Sequence, residues 1–138
     1  KQPRVVITYG TFDLFHVGHV RLLQRARMLG DQLGVGLSSD GFNKLKGKSS
    51  FFSFEDRKEI LLSCRFVDFV FSEDCWEQKE ADLIKYNASV FVMGSDWTGK
   101  FDHLKNLCEV VYLQRTETVS SSYIRQSLRS ELIVHGRR

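Results

Sequence analysis

Short apolar runs alternate with longer amphipathic stretches along almost the whole chain: VVITYG, VRLLQRARMLG, LGVGLSS, FEDRKEILLSC, FVDFVF, EADLIKY, VFVMG, FDHLKNLC, EVVYL and SSSYIRQSLRSEL. Runs this apolar need cover on both faces, which parallel strands obtain from the helices that cross between them. The alternation therefore predicts an α/β fold, doubly wound around a mostly parallel central sheet. A chain of 138 residues can bury one such core, and no Pro/Gly/Ser-rich linker divides it. One domain over residues 1–138 is expected.

Composition narrows the function classes. The chain is 42% hydrophobic and 27% charged with a single proline, which fits a folded domain rather than a disordered tail. No apolar run approaches the roughly 20 residues that span a bilayer, and KQPRVVITYG enters a strand without a secretory leader. The expectation is a cytoplasmic protein with no membrane insertion. Cys64, Cys75 and Cys108 are widely spaced, with neither C-x-x-C nor a Cys/His zinc pattern, and read as buried, reduced thiols. The net charge of +3 is scattered rather than striped with aromatics, so no nucleic-acid partner is expected. A local anionic ligand suits these charges better.

In a doubly wound sheet, ligands bind beyond the carboxyl ends of the strands, near the point where strand order reverses. Polar motifs stand at four such ends: GTFD after VVITY, SSD after VGL, GSDW after VFVM, and RTE after VVYL. Loops on a rigid sheet can bring these groups to one site.

The first of them continues as GTFDLFHVGH. If a helix starts near Val17, His16 and His19 lie on the same side of its first turn. The N–H groups and partial positive charge of that helix end favour phosphate, and Gly18 removes a side chain that would block close approach. Two imidazoles there can donate to phosphate oxygens and stabilise charge in a transition state. A metal pair, or simply polar residues at a helix start, also fits the spacing, although no third His or Cys stands at a ligand distance in sequence and only Asp13 could add an oxygen.

The last motif, RTETVSSSYIR, ends a strand with Arg115 and Thr116 and places Ser120, Ser121 and Ser122 before the periodicity of YIRQSL. A helix cap needs one serine. Three hydroxyls with a guanidinium nearby are also suited to a di- or triphosphate, which arginine binds through paired, charge-assisted hydrogen bonds.

Through HVGH and RTETVSSS the chain resembles the HxGH nucleotidyltransferases, and the likeness extends through ITYGTFDLFHVGH, SSDGFN, RKEIL, RFVD, WEQK, VFVMGSDWTGKFD and CEVVYLQRTE. WEQK and DWTGKFD resemble the bacterial glycerol-3-phosphate cytidylyltransferases in particular. The resemblance implies a Rossmann-like domain and a reaction in which the phosphate of sn-glycerol 3-phosphate attacks the α-phosphorus of CTP, giving CDP-glycerol and pyrophosphate for teichoic-acid-like polymers. A phosphorylated alcohol such as phosphocholine is the neighbouring alternative, and a noncatalytic nucleotide-binding module a more distant one.

Carried onto this chain, the resemblance implies that His16, His19, Arg115 and Lys46 act on the reacting phosphates. Thr11, Phe12, Asp13, Gly18, Asp96, Thr116 and Ser120–Ser122 would join them in holding the nucleotide. Lys46 and Lys79 would bind the acceptor, and Arg57 and Arg65 are counted with them, although surface salt bridges would serve for either. Lys44, Lys46 and Lys48 read as a polar loop. A magnesium ion is implied, its ligands left open beyond a part for Asp13. The segment matching RFVD implies a homodimer. Where the family usually has glycine after RTE this chain has Thr118, a β-branched residue that resists positive φ.

Overall fold

The structure, a computed structural model, describes residues 2–115, 124 and 126–129. Five strands, β1 (Val5–Gly10), β2 (Gln32–Ser38), β3 (Phe69–Glu73), β4 (Ala88–Gly94) and β5 (Glu109–Leu113), form one sheet in the order β3-β2-β1-β4-β5. Every neighbouring pair is parallel. Four helices, α1 (Val17–Arg27), α2 (Asp40–Leu45), α3 (Phe54–Leu62) and α4 (Lys79–Lys85), run between the strands. This is the doubly wound α/β arrangement that the alternation of apolar runs predicts.

Alternation along the strands divides the core into two layers. Val6, Leu33, Val35, Leu37, Val90 and Val92 pack with Leu23 and Ala26 of α1 and Leu61 of α3. Val5, Ile7, Tyr9, Phe91 and Met93 pack on the other face against Leu83 of α4 and against Phe101 and Leu104. Burying each such side chain contributes about 1.5–3 kcal/mol. The glycines of LGVGLS lie opposite β2's apolar residues for a steric reason: a Cβ at Gly34 would collide with the Phe69 ring, and one at Gly36 with the Tyr9 ring. Bare backbone there lets aromatic rings lie flat on the sheet.

The chain runs from β1 to β2 and β3 on one side, then crosses to β4 and β5 on the other. Strand order thus reverses at β1, and the crevice between the carboxyl ends of β1 and β4 is where a ligand fits.

Three local expectations are corrected. FDHLKNLC forms no α-helix; Asp102–Asn106 is a 3-10 segment, entered through a turn in which Gly99 has φ 84. Phe101 and Leu104 of that stretch are buried and cover the sheet. The lysine-rich stretch is not a plain loop, because Ser39 caps α2 by accepting the Phe42 N–H at 3.0 Å, with Phe42 and Asn43 buried beneath it. Lys46 is the C-cap of that helix, just before Gly47 at φ 75. Cys64 and Cys108 are half-buried and Cys75 is exposed, all three as free thiols, since Cys75 lies on the surface turn that follows β3.

Candidate active site

The site grows from the end of β1. Phe12 and Leu14 have φ of 50 and 49, the left-handed region that costs a non-glycine residue about 1–3 kcal/mol. Packing compensates: the Phe12 ring folds back over Gly10, where an added Cβ would stand 2.8 Å from it, and meets the His19 ring edge-on at 5.3 Å. Asp13 is buried and anchors another segment, its carboxylate accepting the backbone N–H groups of Phe51 at 2.5 Å and Phe52 at 3.0 Å. This carboxylate ties the loop after α2 to the loop after β1.

The two histidines cap α1 reciprocally. Nδ1 of His16 accepts the Gly18 N–H at 3.1 Å, and the His16 N–H donates to Nδ1 of His19 at 3.2 Å. Their rings stack 3.9 Å apart. Imidazole thus takes the place of the hydroxyl and carboxamide of an ordinary capping box. An Nδ1 that accepts an N–H carries no proton, so each neutral ring keeps its proton on Nε2 and offers it as a donor.

Burial pushes the His16 pKa below its usual value, and pushes His19 to about 4, with His16 adding to the fall and Asp13 opposing it. Because the folded pKa of His19 lies below its ordinary 6.5, the unfolded chain takes up a proton first, and the fold loses stability as pH falls from 6.5 through about 4. In the ligand-free protein, the His19 ring protons are expected to titrate by NMR near pH 4, and a phosphate-bearing ligand is expected to raise that midpoint. A ligand-free midpoint near 6.5 would contradict the buried, stacked arrangement.

Two connected lobes open from this point. One, of about 360 Å³, is walled by His16, Gly18, His19, Arg25, Asp96 and Arg115, among others. The second, of about 760 Å³, adds Asp13, Lys46, Lys48, Glu73, Trp76 and Lys79. They share Thr11, Phe12, His19, Trp97 and Arg115, among others. Such volumes suit a nucleotide-sized ligand beside a small second one.

Arg115 pairs with Asp96 at 2.5 Å, and Arg25 holds the preceding Gln114 carbonyl at 2.7 Å. In the second lobe Lys79 is buried, 2.6 Å from Glu73, with its ammonium 4.7 Å from the centre of the Tyr9 ring, 5.1 Å from that of Trp76 and 5.5 Å from that of Phe101. Lys46 donates to Ser38 at 2.7 Å.

The structure therefore brings Thr11, Phe12, Asp13, His16, Gly18, His19, Lys46, Lys79, Asp96 and Arg115 to one cleft. It does not bring Arg57 there. That side chain is fully buried, and four of its hydrogen bonds are taken by protein: Nε by the Phe52 carbonyl, Nη1 by the carbonyls of Thr11 and Ser38, and Nη2 by Asp40. Arg65 is exposed on the segment entering β3, at the amino ends of the strands and away from the cleft. Thr116, Thr118 and Ser120–Ser122 lie outside the described residues. Glu73 and Arg25 are wall residues that the motifs do not include. The signal for Glu73 was in plain view: it ends β3, as the four motifs end the other strands.

Among the described residues no three His, Cys, Asp or Glu side chains converge as a metal cage. The cleft carboxylates serve protein donors instead: Asp13 two backbone amides, Glu73 a lysine and Asp96 an arginine. A cage built from protein side chains does not fit this donor set.

The chain is 55% identical to the glycerol-3-phosphate cytidylyltransferase of Staphylococcus aureus over 123 residues, 89% of this chain and 93% of that protein. It is 56% identical to the enzyme of the same name from Bacillus subtilis, over 89% of this chain and 95% of that one. Among solved structures, the lipopolysaccharide core biosynthesis protein of Thermoplasma volcanium matches with a TM-score of 0.72 and 20% identity, over 84% of this chain and all of that one, a likeness of fold. A description of cytidylyltransferase-like proteins matches residues 7–127. With a histidine-capped helix at the reversal point of its sheet and relatives this similar over nearly their full length, the chain belongs to the cytidylyltransferase-like family, in its glycerol-3-phosphate cytidylyltransferase branch.

Proposed function

We infer that this chain transfers the cytidylyl group of CTP to sn-glycerol 3-phosphate, giving CDP-glycerol and pyrophosphate. The observation that carries the reading is the two-lobed cleft, with a histidine-capped helix N-terminus in one lobe, two lysines in the other and Arg115 on the wall they share. The nucleotide occupies the first lobe and the acceptor phosphate the second, so that the reacting atoms meet at the shared wall beside His19.

An oxygen of the acceptor phosphate forms a bond to the α-phosphorus while the bond from that phosphorus to the α–β bridging oxygen breaks. Pyrophosphate leaves with the electron pair. An ionised phosphate has no proton to lose, so the step requires no general base, and two neutral histidines are suited to it as donors from Nε2. Lys46 and Lys79 hold the nucleophile against the repulsion of the triphosphate, and Arg115 turns from Asp96 to the departing phosphates. Positioning of this kind supplies much of the rate when both reactants are anions. We assign magnesium to the nucleotide's own phosphate oxygens, where it supplies charge neutralisation, and derive no step through it.

We further propose a homodimer formed beside the β3 edge, which is supported by the exposed Leu62 and Arg65 on the segment leading into that strand. A cytoplasmic place in the supply of activated glycerol phosphate for teichoic-acid-like polymers follows from the product. No helix among the described residues is long and apolar enough to cross a membrane.

The test is product formation by the purified chain with magnesium, CTP and glycerol 3-phosphate. One CDP-glycerol, identified by mass, is expected for each pyrophosphate released, with little product when ATP replaces CTP. Turnover with phosphocholine but not with glycerol 3-phosphate would overturn the assignment of the acceptor.

A further inference from the structure

Ser38 ends β2 and Glu73 ends β3, and the parallel register sets the two residues side by side. Ser38 is fully buried and Glu73 is 3% exposed. The Ser38 hydroxyl donates to Oε1 of Glu73 at 3.3 Å and accepts from Nζ of Lys46 at 2.7 Å. Oε2 of Glu73 takes Nζ of Lys79 at 2.6 Å. A single carboxylate therefore gathers two lysines that come from α2's C-cap and the start of α4, elements on opposite sides of β3 in the chain.

We propose that Glu73 is the positioning residue of the acceptor lobe, holding Lys79 directly and Lys46 through Ser38 so that both ammonium groups converge on one acceptor phosphate. The proposal rests on the reading of this lobe as the site of a phosphorylated alcohol. Glu73 need not touch that molecule; it acts through the lysines.

Charge is the second part of the role. The Lys79 ammonium, 5% exposed among three aromatic rings, has given up most of its water, and the Glu73 carboxylate is the charged partner that offsets this loss. Around Lys46, burial lowers the pKa first, Glu73 opposes it, and Lys48, Lys79 and Arg57 add to the fall. The other charged or titratable groups nearby reinforce the point: Tyr9 donates its hydroxyl to Asp82 at 2.9 Å, and Asp13, His19 and Arg115 stand on the cleft walls. Glu73 is thus the carboxylate bonded directly to Lys79 and, through Ser38, linked to Lys46.

Glu73→Gln keeps the shape and removes the charge. For the variant, KM for glycerol 3-phosphate is expected to rise by about tenfold or more at alkaline pH and by less at acid pH, because Lys46, whose pKa burial already lowers, loses with Glu73 the carboxylate that opposes that fall. CTP affinity should stay within about twofold, since the nucleotide lobe is untouched. An acceptor KM that is unchanged, or raised equally at every pH, would overturn the proposal, because a merely structural role has no such profile. If Glu73→Gln fails to bind CTP and so reports misfolding, Ser38→Ala decides: an unaltered acceptor KM in that variant also overturns it. Unsubstituted protein that forms CDP-glycerol while both variants keep normal acceptor KM defeats this inference alone. An unsubstituted protein inert with CTP and glycerol 3-phosphate defeats the functional reading and this inference with it.

Discussion

Replacing His19 with alanine is expected to lower kcat by about 10²–10³-fold while leaving the fold intact, the usual effect of removing one donor aimed at developing charge. His19 stands on the wall shared by both lobes, whereas His16 faces the nucleotide lobe alone. His16→Ala should therefore lose rate of the same order but with a larger share appearing in nucleotide binding. The reciprocal cap adds a structural cost: each alanine deprives one backbone N–H of its acceptor, worth about 1 kcal/mol at a helix start. His19→Asn, which can keep both an acceptor and a donor, separates the two effects by restoring stability more than rate. Single-turnover rates with CTP saturating, alongside thermal melts, make the measurement. Near-normal kcat in a folded His19→Ala protein would remove His19 from the chemistry.

Arg57→Ala is expected to cost about 3–5 kcal/mol of stability, because it empties a fully buried site and leaves the Thr11 and Ser38 carbonyls without their donor. Its guanidinium donates to the carbonyls of Thr11, Ser38 and Phe52 and to the carboxylate of Asp40, joining the ends of β1 and β2 to the start of α3. The Phe54 backbone N–H, ahead of the Arg57 contact itself, holds the Asp40 carboxyl below its ordinary range. Since a domain of this size has about 5–15 kcal/mol in all, the variant should melt about 10 °C or more below the unsubstituted protein. Lysine cannot reproduce the fork and should rescue little. Unchanged melting together with a raised KM for the acceptor alone would return Arg57 to substrate binding, the role that the family resemblance implies.

These two residues show how far local pattern reaches. The histidine spacing and the start of α1 at Val17 are set by neighbours a few residues away and appear as read from the sequence, and a cleft opens at the strand ends. For Arg57 the same local view is misleading. A basic residue in FEDRKEILL looks solvated, and only the arrival of the Thr11 and Ser38 carbonyls from other elements makes its burial favourable. Arg65 lies away from the cleft for a related reason: strand polarity sends the segment before β3 to the far end of the sheet.

What the amino-acid order determined by itself was the class of fold, the end of the sheet where the cleft opens, and the helix cap built from His16 and His19. Those follow from periodicity of burial and from hydrogen bonds between residues two or three apart. Tertiary structure alone decided which cations face the cleft and which carboxylate gathers them. Lys46 and Lys79 meet through Ser38 and Glu73 because β2 and β3 are parallel neighbours in one register, a relation between distant segments that no local window contains. Once the strands are ordered, desolvation selects the partners: a buried ammonium or guanidinium persists only where the fold supplies it with acceptors.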